Sequence, residues 1–115
     1  MDTYCSIKQN YLQILLPREI DHHIAMQVKE EADSIIERRQ ISNLTFDFRN
    51  TVFMDSSGIG MLMGRYKLVH YMGGMVKAVH VNERIEKMLT IAGVLKFIEI
   101  QPDCTKNKTA DKRED

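Results

Sequence analysis

The sequence predicts a single α/β domain built on a mixed β-sheet. Short apolar segments of strand composition alternate with longer segments whose apolar residues recur every three to four positions. Two strand-like segments at the start are separated by only two residues, which makes a hairpin. A length of 115 residues, 43% of them apolar, suits one core. Strands separated by helices imply parallel neighbours with right-handed crossovers, and the hairpin adds an antiparallel pair. No internal repeat is present.

Residues 3–8 and 11–16 read as the two strands of the hairpin, with Gln9-Asn10 as the turn. Pro17 stops the second strand. Asp21 is of N-cap type. Beyond it Ile24, Val28, Ala32, Ile35 and Ile36 give a helix one apolar face, and Lys29, Glu30, Glu31, Glu37 and Arg38 fill the rest. Asn43 breaks that pattern. Residues 44–48 alternate as a strand does, and Arg49-Asn50 form a turn. A second helix follows Gly58 and stops at Gly73-Gly74. Residues 75–81 are the next strand. Asn82 caps a shorter helix with Ile85, Met88, Leu89 and Ile91 on its face, and Gly93 ends it. Residues 97–100 are a last strand, closed by Pro102. The folded domain is assigned to residues 1–103. Residues 104–115 are almost wholly charged or polar, and a disordered tail is expected there.

Sixteen basic and sixteen acidic residues cancel, and no basic stripe follows a phosphate backbone, so direct nucleic-acid binding is not expected. No apolar run approaches the roughly 18 residues that span a bilayer, and the N-terminus lacks the order of a signal peptide. Cys5 and Cys104 have no motif spacing and read as free thiols of a reducing compartment. A small cytoplasmic domain is expected.

The densest signal is Phe53-Met54-Asp55-Ser56-Ser57-Gly58-Ile59-Gly60. Three consecutive N-cap residue types stand where a helix begins. A hydroxyl there is exposed and lies in the positive field of the helix N-terminus, which suits a phosphate. On a helical wheel of residues 56–72, Ile59, Met61, Leu62, Tyr66, Leu68, Val69 and Met72 form a broad arc that should pack on the sheet. Arg65 falls inside that arc without an account. Ser56, Gly60, Gly64, Lys67 and Tyr71 fall opposite. A glycine inside a helix costs about 1 kcal/mol relative to alanine, so two on the solvent side need a reason. Either another protein approaches the backbone there, or a loop of the same chain does.

Other chemistries fit less well. Gly58, Gly60 and Gly64 are one residue off the dinucleotide fingerprint, and no G-K-[ST] follows. The hydrolase elbow needs a glycine two residues to each side of its serine, and neither Ser56 nor Ser57 has that. The serine reads as a substrate, not a catalyst. His22 and His23 point about 100° apart on a helix and cannot easily share one ion. The Gly60–Gly64 spacing also occurs in membrane dimers, but Arg65 and Lys67 follow at once. Met61 and Met63 have the reach to touch a partner surface. Sites in open α/β sheets collect at the carboxyl ends of strands, so the Asp21 and Asp55-Ser56 turns should lie at one end of the molecule.

The stretch 53–67, F-M-D-S-S-G-I-G-M-L-M-G-R-Y-K, closely resembles the signature of bacterial anti-sigma factor antagonists, the STAS domain family. Ile20-Asp21-His22-His23 is similar to the turn into the first helix in that family's sporulation branch. The G-R-Y-K ending and the D-H-H turn favour the sporulation branch, which counters anti-sigma-F factors, over the general-stress branch. The resemblance covers about residues 3–100 and implies the STAS fold. It implies a non-enzymatic module, without metal or cofactor, that binds an anti-sigma factor which is also a serine kinase. Binding releases a sigma factor; phosphorylation by that kinase ends binding, and a serine phosphatase resets it. The serine directly after the aspartate, Ser56, would carry the phosphate. Asp21, His22, Asp55, Ser57, Gly58, Gly60, Gly64 and Lys67 are expected at the partner surface of a chain monomeric when free. Two departures stand out: Pro17-Arg18-Glu19 replaces the family's usual glycine before the turn, and a polar tail replaces its usual last helix. The alternatives are a small nucleotide-binding protein using the glycine-rich turn and a STAS scaffold of a stress-signalling assembly.

Overall fold

The computed structural model describes residues 3–103. Strands β1 (Cys5–Lys8) and β2 (Tyr11–Leu15) form the hairpin, and β3 (Glu19–Ile20) leads into α1 (His22–Arg39). Then come β4 (Asn43–Asp47), β5 (Phe53–Met54), α2 (Ser56–Tyr71), β6 (Met75–Val81), α3 (Glu83–Ile91) and β7 (Glu99–Pro102). The main sheet has the order β1-β2-β4-β6-β7, antiparallel between β1 and β2 and parallel elsewhere. Gln9 turns the hairpin at φ 58.

Register explains the core. Leu12 stands beside Leu44 and Ile14 beside Phe46, while Leu44 and Phe46 stand beside Val76 and Ala78. All six are buried in one apolar cluster. Alternate positions face the other way. There Tyr11 Oη meets Thr45 Oγ1 at 2.8 Å, and Gln13 Nε2 donates to Asp47 Oδ2 at 3.0 Å. α1 packs along α2, and α2 against β6.

Several expectations need correction. β3 and β5 pair as a separate two-residue parallel sheet that the sequence does not announce, because two residues are too few for a period. β7 begins at Glu99, not residue 97: Gly93 (φ 78) leads into a 3₁₀ turn, Val94–Lys96, that uses up the preceding chain. Pro102 lies inside β7, which an edge strand tolerates. Ile91 is 80% exposed and does not belong to the packed face of α3, since six residues at 100° each carry it away from Ile85. On α2 the buried line is narrower than the arc: Gly58, Met61, Leu62, Arg65 and Val69. Ile59, Tyr66 and Leu68 are only half-buried and Met72 is exposed. The assigned tail, residues 104–115, lies outside the described residues.

Candidate functional site

The site is built by the small sheet. Ile20 is paired with Met54, so the chain leaves both strands at the same level and enters a helix each time. The Asp55 amide donates to the Ile20 carbonyl at 3.0 Å, which ties the two turns together. Both aspartates act as N-caps. Asp21 Oδ1 accepts from the Ile24 amide at 2.9 Å, and Asp55 Oδ1 accepts from the Ser57 amide at 2.8 Å. Each satisfies one of the amides that a helix start leaves without a partner. The two turns do lie at one end of the molecule.

Ser56 opens α2 and is exposed. Its hydroxyl therefore stands in solvent at the positive end of the helix. Ser57 turns toward α1, is half-buried, and has its Oγ 3.4 Å from His22 Nδ1. His23 is exposed and contacts Gln27 within its own helix. A groove of about 410 Å³ runs between the helices, lined among others by His22, Met26, Lys29, Ser57, Gly60 and Gly64. Met61 is part of its lining but is 4% exposed, and Met63 is half-buried. Lys67 and Tyr71 continue along the exposed side, with Tyr71 91% exposed.

The glycines divide by function. A Cβ on Gly60 or Gly64 would meet nothing within 4 Å, so the chain's own packing does not require glycine at either place. Gly58 is different: it faces inward, where a Cβ would overlap Met54 Cγ and Sδ and press on Ile20. It is buried beneath the exposed turn and lets α2 start close against β3 and β5. The three glycines thus share no common surface, as a backbone phosphate cradle would need.

Arg65, unplaced by the wheel, is buried between the helices. Its Nε lies 2.7 Å from Asp33 Oδ1 of α1, and Nη1 donates to the Met61 carbonyl at 3.1 Å. Lys29 approaches the same carboxylate at 3.4 Å. Sequence reasoning also missed a second groove, of about 770 Å³, between β5 and α3. Phe53, Met54, Met88 and Ile91 line it with Glu83, Arg84 and Lys87. The 46% exposure of Phe53 was its only signal, and that requires coordinates. Among the described residues no cluster of His, Cys, Asp and Glu could hold a metal ion, and no helix is long and apolar enough to cross a membrane.

Residues 6–107 match the STAS domain family. The chain is 37% identical over 89 residues to an anti-sigma F factor antagonist of Paenibacillus polymyxa, covering 77% of this chain and 76% of that protein. It is 29% identical over 102 residues to an anti-sigma-B factor antagonist of Bacillus subtilis, covering 87% and 92%. Among solved structures, the unphosphorylated form of the anti-sigma factor antagonist SpoIIAA superposes with a TM-score of 0.69 at 23% identity, over 95% of this chain and 94% of that one. The phosphorylated form of SpoIIAA gives a TM-score of 0.71 at 20% identity, over 92% and 96%.

Proposed function

The chain belongs to the STAS domain family, as an anti-sigma factor antagonist, and we propose that it works as a phosphorylation-switched partner of an anti-sigma factor that is also a serine kinase. Anti-sigma factor antagonists are regulatory proteins and not enzymes. Unphosphorylated, the protein occupies the anti-sigma factor and frees a sporulation sigma factor. The kinase then transfers a phosphate from ATP to Ser56, the complex separates, and a serine phosphatase restores the binding form. The cycle takes place in the cytoplasm, and the free protein is a monomer.

The observation that carries this reading is the exposed Ser56 hydroxyl at the start of α2, beside a groove whose glycines the fold itself does not need. Asp21, His22, Asp55, Ser57, Gly60, Gly64 and Lys67 form the surface the partner meets, with Gly58 setting its backbone. The similarity to an anti-sigma F factor antagonist supports the sporulation assignment.

Electrostatics is sufficient for the release. Phosphorylation adds a charge of about −1.5 to −2. In the free protein the helix N-terminus stabilises that charge by about 0.3–1 kcal/mol. In a dry interface beside Asp55 the same charge is repelled and desolvated. Each loss of about 1.4 kcal/mol weakens binding tenfold. Incubation with the cognate kinase and ATP should add one phosphate, mapped by peptide mass spectrometry to Ser56. Ser56→Ala should bind the anti-sigma factor and resist phosphorylation, while Ser56→Asp should bind weakly. A phosphate on another residue, or tight binding by Ser56→Asp, would refute the reading.

A further inference from the structure

Resting on the reading of Ser56 above, we propose that His22 is a positioning residue that decides which of two adjacent serines is phosphorylated. Its ring holds the Ser57 hydroxyl in the groove between α1 and α2 and leaves Ser56 alone presented to a kinase.

The two serines are chemically alike. Both are in the first turn of α2, both lie in the same helix field, and both follow the same cap. Choice between them must therefore come from presentation. Consecutive helical side chains diverge by about 100°, so one approach direction cannot serve both. Ser56 points to solvent, and Ser57 points across to α1 and is half-buried. Ser57 is held twice: its amide donates to Asp55 Oδ1 at 2.8 Å, and its Oγ lies 3.4 Å from His22 Nδ1. His22 is the first residue of α1, and the pairing of Ile20 with Met54 fixes its place beside α2. The contact joins residues 35 apart in sequence, so only the fold makes it.

Transfer to Ser56 needs no rearrangement of the antagonist. The Oγ attacks the γ-phosphorus of ATP, the Oγ–P bond forms as the bond to the ADP oxygen breaks, and the hydroxyl proton passes to a base of the kinase. The same step at Ser57 requires its hydroxyl first to leave His22 and turn out of the groove. At 3.4 Å the contact is long, and its loss corresponds to about a twofold bias, or about 0.5 kcal/mol.

The test uses the full chain, its cognate anti-sigma kinase and ATP, with both phosphopeptides quantified. His22→Ala should raise the ratio of phosphate on Ser57 to phosphate on Ser56 about twofold. In a Ser56→Ala background it should raise the initial rate of Ser57 labelling by the same factor. His22→Asn, whose side-chain amide stands near the position of Nδ1, should return the ratio toward wild type. Weaker docking or partial unfolding would slow both serines together and leave the ratio unmoved, so an unchanged ratio in His22→Ala overturns the proposal. A kinase-free readout is the ¹⁵N shift of the His22 ring, which should move in Ser57→Ala; no movement means no contact. Absence of phosphate on either serine in the wild type is a different result. It refutes the phosphorylation reading and takes this inference with it.

Discussion

Asp47 has no exposed side-chain surface, yet it stays ionised because four donors converge on it. Gln13 Nε2 lies at 3.0 Å, the Arg49 amide at 3.0 Å, Arg49 Nε at 2.9 Å and Arg49 Nη2 at 2.6 Å. Burial pushes its carboxyl up, but the Arg49 hydrogen bonds and charge, with a contribution from His80, hold it below the ordinary carboxylate value. The sign follows. An Asp whose native pKa is depressed adds stability that is fully present above its unfolded value of about 3.9 and is lost as pH falls through the native value. Urea midpoints should therefore drop below about pH 4 in the wild type, and Asp47→Asn should flatten that drop while costing about 1–3 kcal/mol at pH 7. Gly58 makes a second residue-scale case. Met54 and Ile20 are fully enclosed where a Cβ would go, so Gly58→Ala should destabilise by about 1–3 kcal/mol, read as a lower midpoint of thermal unfolding. Both residues stand in the sequence without any mark of these roles. Asp47 reads as the polar position of an alternating strand, and Gly58 as one more glycine in a motif.

At the scale of elements, α2 is at odds with its own stability. Gly60 and Gly64 each have open space at the Cβ position, so alanine there should stabilise the free protein by up to about 1 kcal/mol apiece. The same substitutions should weaken the complex with the anti-sigma factor, because two methyl groups would fill the approach to the backbone. Paired measurements of urea stability and binding affinity check this; affinity equal to wild type would show that the stripe is not a contact surface. Arg65 links α2 to α1 through Asp33. Arg65→Ala would open a gap between the helices and leave Asp33 with Lys29 as its charged partner, and about 1–3 kcal/mol should be lost. Periodicity located α1, α2 and α3, but it could not tell which side of α2 meets the sheet and which meets α1. That is why Arg65 looked misplaced on the wheel.

For the whole molecule, the expected switch is a change of surface on an unchanged fold. Ser56, the proposed phosphate site, lies outside the continuous apolar cluster, at turns held by the small β3–β5 sheet. Phosphorylation of Ser56 should accordingly perturb amide resonances only around residues 20–24 and 53–61. Widespread changes across β4 and β6 would contradict a local electrostatic release.

Sequence by itself determined the α/β class, the hairpin, the three helices with the Asp21 and Asn82 caps, and the exposed serine at the start of α2. These are local facts, set by side-chain period, cap chemistry and turn residues within a few positions. The tertiary structure alone decided the β3–β5 pairing, the inward turn of Gly58, the Arg65–Asp33 link, and the meeting of His22 with Ser57. Each of these joins residues more than a turn or two apart, and such contacts are fixed by which elements pack together, a choice that no local pattern contains.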